Sequence, residues 1–137
     1  MDMKKTILRD ALRIAREKLA NHSQLNYFPH YSFIVQGNKI VEWSTNSEAE
    51  PPKHLGYHQR LSDASDTTPK THAEFNAWRK AKGLLDPTKR FECINIRLNK
   101  LGELKLSAPC SCCQSFLDEM GCKSIYFTTD HGWAKEL

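Results

Sequence analysis

Four side chains, distant along the chain but matched in chemistry, do most to restrict how this sequence can fold. His72 and Glu74 stand two apart in Thr71-His72-Ala73-Glu74, which opens a predicted helix. Cys110 and Cys113 stand three apart in Pro109-Cys110-Ser111-Cys112-Cys113, which opens another. Together they offer three soft metal ligands and one carboxylate outside the ligand set. Cysteines at i and i+3 of a first helical turn point to the same side, so one ion can reach both. The positive end of the helix dipole lowers a thiol pKa and so favours thiolates there. Pro109 fits just before or at the first helical position, where a missing N–H costs nothing. Catalytic zinc takes three protein ligands and keeps one position for water. His72, Cys110 and Cys113 would fill the three, and Glu74 would hold the water and shuttle its proton.

Each motif also has a plainer reading. Thr71 to Glu74 is a capping box, in which Glu74 would bond back to the Thr71 N–H. Two cysteines three apart can be redox thiols or packing residues. A structural zinc site needs a fourth ligand, and Cys112 is the nearest candidate. Two positions along a helix turn a side chain by about 200°, which points Cys112 away from Cys110. His54 and His58 read as loop histidines, and Cys93 and Cys122 as core residues. The conjunction of the two motifs, with a strand between them, decides for catalytic zinc.

Composition is compatible with this. A chain of 137 residues is the size of one domain, expected here to span 1–137. No apolar run approaches the roughly 18 residues that a membrane span needs. The basic N-terminus lacks the apolar core of a signal peptide, so a cytoplasmic address is expected. Five cysteines, three of them within four positions, suit a metal site better than a disulfide framework. A net charge of +4 suits an anionic ligand such as a nucleotide, and permits nucleic acid without requiring it.

Periodicity predicts a helix from about Lys4 to Ala20, with Ile7, Leu8, Ala11, Leu12, Ile14, Ala15 and Leu19 on one stripe. Lys5, Arg9, Arg13 and Arg16 fall opposite and read as a solvated face. Tyr31–Val35 and Lys39–Trp43 read as a hairpin turning at Gln36-Gly37-Asn38. From about Ser44 to Lys70 periodicity disappears. A loop of that length, leading straight into His72, reads as a wall or lid of the substrate site. A second helix follows from Thr71 to Lys82, with a narrow stripe of Ala73, Ala77 and Ala81. Phe91–Leu98 is a strand, with a short returning strand within Glu103–Leu106. A third helix covers about Cys110–Met120, with Met120 on its buried face. Lys123–Thr128 is the last clear strand, and about nine residues of tail remain. This alternation predicts a layered α/β architecture with helices packed on a mixed sheet.

The pattern His-x-Glu, then Pro-Cys-x-x-Cys, resembles the zinc deaminase signature, and the whole chain looks like the cytidine deaminase superfamily. His72-Ala73-Glu74-Phe75-Asn76-Ala77 is particularly similar to a segment of deoxycytidylate deaminases. The resemblance implies a three-layer α/β/α fold with a mixed sheet of four to five strands and helices on both faces. It implies hydrolysis of cytosine to uracil in a nucleoside or nucleotide, with zinc-bound hydroxide attacking C4 and Glu74 as proton shuttle. It suggests substrate contacts at Asn46, after the second strand, and at Ala73. Pro109-Cys110, Phe116-Leu117 and Ser124–Phe127 with Asp130 also resemble polynucleotide-editing cytosine deaminases. In that case Tyr126, Phe127, Asp130, His131 and Trp133 would line a wall for single-stranded nucleic acid; the plainer reading makes Tyr126 and Phe127 core residues of their strand. A catalytically silent zinc domain is the third alternative, and it gives Glu74 no purpose. Against the family pattern, the fifth strand is expected to be short or missing.

Overall fold

The computed structural model describes residues 5–20, 30–45 and 72–136. Asn46, His54, His58, Thr71 and nearly all of the expected lid lie outside the described residues. In chain order the elements are α1 (Lys5–Ala20), β1 (His30–Gln36), β2 (Lys39–Thr45), α2 (Ala73–Ala81), β3 (Phe91–Leu98) and β4 (Leu104–Lys105). They continue with α3 (Ser111–Glu119), β5 (Cys122–Thr129) and β6 (Gly132–Glu136). No described helix is long and apolar enough to cross a membrane.

The strands form one six-stranded mixed sheet in the order β2-β1-β3-β5-β6, with β4 paired to β3 off this path. Among the described strands, β3 and β5 run parallel and the other pairs are antiparallel. The β1–β2 turn places Gly37 at φ 62° and Asn38 at φ 63°. Two left-handed residues in succession match the right-handed twist of a hairpin, and Gly and Asn tolerate them best.

Side-chain alternation sorts the sheet into two faces. Tyr31, Phe33, Val35, Ile94, Ile96, Leu98 and Tyr126 pack against Ile7, Ala11 and Ala15 of α1. Ile34, Phe91, Cys93 and Ile125 face the other way, against Phe75, Ala77 and Ala81 of α2 and Cys113, Phe116 and Leu117 of α3. The result is three layers, with α1 on one side and α2 and α3 on the other. The alanine stripe of α2 is fully buried, which allows that helix to lie close on the sheet. Phe116 packs against Phe75 in a tilted pair at 4.2 Å between ring centroids and meets Trp78 edge-on at 5.1 Å. Such aromatic pairs contribute about 0.5–1.5 kcal/mol each beyond area burial. They hold together the two helices whose first residues carry the site.

Two expectations change here. The strand expected to be short or missing is present in the tail as five residues: β6 pairs with β5 from Ile125↔Glu136 to Thr129↔Gly132. Its sequence lacks alternation, so it forms through backbone pairing and through Trp133, which packs on the α1-side core. Met120 is not on a buried face; α3 ends at Glu119, Met120 is its C-cap, and it is 38% exposed.

Candidate functional site

The parallel strands β3 and β5 pair as far as Asn95↔Phe127, after which β4 takes the place beside β3. Crevices at the carboxyl ends of parallel strands are where open α/β sheets bind ligands. Both ligand-bearing helices begin there. His72 is the N-cap of α2 and Cys110 the N-cap of α3, each with extended backbone. Pro109 therefore precedes the cap, and Cys110 ends the incoming chain rather than occupying the first helical turn.

His72 Nδ1 lies 3.2 Å from Cys113 Sγ and 3.6 Å from Cys110 Sγ. The three donor atoms all fall within 4.8 Å of one another, and together they make a potential metal site. Cys110 Sγ caps its helix by accepting from the Cys113 N–H at 3.4 Å. The Cys113 side chain donates to it as well, and with help from His72 this holds Cys110 down to about 3, against its partial burial. The same bond, with burial, pushes Cys113 well above the ordinary thiol range. The shared bond thus favours the thiolate at Cys110, the capping residue, over Cys113. Cys112 is buried, its thiol pushed up to about 11 by burial, and it is not in the ligand group.

Glu74 is at the second residue of α2, and its side chain is 2% exposed. Its Oε2 accepts from Asn95 Nδ2 at 2.9 Å, so this oxygen is turned toward the sheet, not back along its own helix as in a capping box. His30 Nε2 stands 3.9 Å from the same oxygen, and burial lowers the pKa of that imidazole in spite of the carboxylate beside it. Asn95 is fully buried and acts as a hub. It accepts from Ser32 Oγ at 2.7 Å and donates to the Ser107 carbonyl at 3.3 Å. Ser107 Oγ returns a bond to the Asn95 carbonyl at 2.9 Å, fixing the segment that leads into Cys110. Asn76 Nδ2 donates to the Thr45 carbonyl at 2.8 Å and ties α2 to the end of β2.

His72, Cys110 and Cys113 are therefore brought together, with Glu74 buried beside them. Ala73 is buried at the first position of α2. Asn46 is outside the described residues. Tyr126 does not reach the site: it belongs to the α1-side core, the sheet face opposite Asn95, and its ring lies 5.5 Å from Lys135 Nζ. Asp130 is exposed in the β5–β6 turn. Period-two alternation puts Tyr126 on the wrong face, and Trp133 likewise packs toward α1. Sequence reasoning passed over His30, Ser32, Asn95 and Ser107. The one available signal was Asn95 itself, a polar residue between Ile94 and Ile96 in an apolar strand.

No family model matches the chain, and no curated protein matches it in sequence. Solved structures do match. A dCMP deaminase from the cyanophage S-TIM5, in complex with dCMP and dUMP, is 21% identical with a TM-score of 0.59, over 92% of this chain and 83% of its own. A cytidine deaminase from Burkholderia pseudomallei is 19% identical with a TM-score of 0.61, over 98% and 92%. A cytidine deaminase from Mycobacterium leprae is 15% identical with a TM-score of 0.56, over 93% and 92%. The open mixed sheet with helices on both faces is the cytidine deaminase-like α/β fold.

Proposed function

We propose that residues 1–137 form one zinc-dependent hydrolytic deaminase domain that converts cytosine to uracil in a nucleoside or nucleotide. The observation that carries this reading is a buried acid beside, but outside, a three-donor set: Glu74 next to His72, Cys110 and Cys113. Two sulfurs and an imidazole nitrogen suit zinc. Neighbouring ligands on a tetrahedral zinc stand about 3.5 Å apart, and the His72–cysteine separations of 3.2 and 3.6 Å fit that spacing. Among the described residues the set has three donors, which matches the three protein ligands and one open position of catalytic zinc. Zinc bound there would supply a water acidified toward neutral pH.

The remaining chemistry belongs to the chain. Glu74 takes one proton from the nucleophilic water and delivers it to the cytosine ring nitrogen; after attack at C4 it carries the remaining hydroxyl proton to the amino group, so that the C4–N bond breaks, C4=O forms and ammonia leaves. Asn95 and His30 both face Oε2, so the transfer is assigned to Oε1. Asn95 fixes the carboxylate in one orientation, which removes the cost of orienting it during reaction. The named activities of the neighbouring structures, on dCMP and cytidine, support cytosine as the base. Reduced thiols suit a reducing compartment, and the cytoplasm is the assigned location. The polynucleotide alternative loses Tyr126 as a stacking wall, and a silent zinc domain leaves a buried carboxylate without a role.

Glu74→Gln tests the reading. The variant should bind zinc as the wild type does and release ammonia from cytosine substrates at least about 100-fold more slowly. Undiminished turnover refutes the assignment of Glu74.

A further inference from the structure

A row of three side chains crosses the sheet at the carboxyl end of β3. His30 is paired with Arg97, and Arg97 with Lys105. Residues directly opposite across antiparallel strands share a face, as do alternate residues along one strand. Asn95 meets Glu74 on the face covered by α2 and α3, whereas Ile94, Ile96, Leu98 and Leu104 pack toward α1. Arg97 and Lys105 therefore stand on the face that carries the site. The row begins at the site itself, since His30 Nε2 is 3.9 Å from Glu74 Oε2.

Two cations directly opposed on a ladder destabilise it, yet this pair is held firmly. The fully buried Thr128 Oγ1 accepts from the Arg97 N–H at 3.2 Å and donates to the Lys105 carbonyl at 2.7 Å. It also lies 2.8 Å from Ser107 Oγ, on the segment that runs from Lys105 to Cys110. One hydroxyl thus locks the backbones of both basic residues and couples them to the chain that delivers a metal ligand. Both side chains are half-buried, where a charge keeps more of its strength than on an open surface.

We propose that Arg97 and Lys105 form the specificity-determining edge of the site and bind a phosphate ester carried by the substrate. This rests on the deaminase reading and narrows it to phosphorylated cytosine compounds over the free nucleoside. Arginine offers a planar fork of donors and lysine a compact charge, a complementary pair for phosphate oxygens. Asn95, which holds Glu74, and Arg97 are alternate residues of β3, so the basic pair lies next along that face from the residue that positions the acting carboxylate.

Binding is measured on zinc-loaded Glu74→Gln protein with cytidine, CMP, dCMP and a short single-stranded oligonucleotide, at two salt concentrations. The phosphorylated ligands should bind more tightly than cytidine, and more weakly as salt rises. Arg97→Ala and Lys105→Ala should each shrink the nucleotide-to-nucleoside preference, by about tenfold for Arg97. Lys123→Ala, which removes an equal charge at the far end of β5, should leave that preference intact. Preference for the monophosphates assigns the pair to a terminal phosphate; preference for the oligonucleotide assigns it to a backbone phosphodiester. Equal binding of cytidine and nucleotides, no binding of either, or a preference indifferent to both substitutions overturns the proposal. Turnover on unmutated protein separates the two readings: phosphate-dependent binding without deamination refutes the deaminase assignment alone.

Discussion

Asn95→Asp exchanges an amide N–H for an oxygen where Asn95 Nδ2 meets Glu74 Oε2 at 2.9 Å. With an effective dielectric constant near 20, two carboxylate charges at that separation repel by about 6 kcal/mol. The lost charge-assisted hydrogen bond costs about 1.5–3 kcal/mol more. Asn95→Ala is a different injury. It leaves Ser32 Oγ and Glu74 Oε2 without this partner, at about 1–3 kcal/mol each, and a water entering the gap offsets part of that. At mildly alkaline pH the aspartate variant should therefore be the less stable of the two. The order should reverse in acid, because carboxylates this close cannot both ionise and one shared proton restores a donor between them. The folded pair then binds more protons than the unfolded chain, so the stability of this variant falls as pH rises. Urea unfolding of wild type and both variants at about pH 5 and about pH 8 reads the crossing directly. Parallel pH responses in all three proteins would refute the Asn95–Glu74 contact. Both variants should keep the metal and lose about 100-fold in kcat, since the carboxylate is no longer held in place.

The His30 side chain is partly buried, and desolvation holds its pKa below the ordinary 6.5. The folded state then takes up fewer protons than the unfolded one, so this contribution is full above about pH 6.5 and is lost as pH falls from there toward the folded value. Wild type should lose up to about 1.4 kcal/mol per pH unit in that window from this group; His30→Gln should show a shallower slope in the same unfolding series, and an equal slope refutes the assignment. Cys113→Ala should weaken zinc binding by more than about 100-fold, beyond the usual effect of an outer partner, whereas Cys112→Ala should leave affinity unchanged. Competition with a chromophoric chelator distinguishes them, and a comparable loss in Cys112→Ala would make it a ligand.

Local pattern was sufficient for much of this molecule. Apolar residues at helical spacing mark α1, the Ile94-Ile96-Leu98 alternation marks β3, and the Gly-Asn turn marks the first hairpin. The i, i+3 cysteines and the His-x-Glu pair name the three donors and the acid beside them, because both spacings are properties of a helix end. Where the signal was not local, the sequence was silent or misleading. β6 has no alternation and exists because β5 offers it an edge. Tyr126 sits on a correctly predicted strand, but which face meets α1 is decided by packing across the sheet.

The pair of motifs by itself determined the chemistry on offer: three soft donors, one acid, and two helix N-termini to carry them. Only the tertiary structure decided what surrounds that acid. Asn95 and Ser32 meet Glu74 because β1 and β3 are paired in one register, and His30, Arg97 and Lys105 form a row for the same reason. Register is a long-range property, set when an entire strand buries its apolar face, and no window of neighbouring residues contains it.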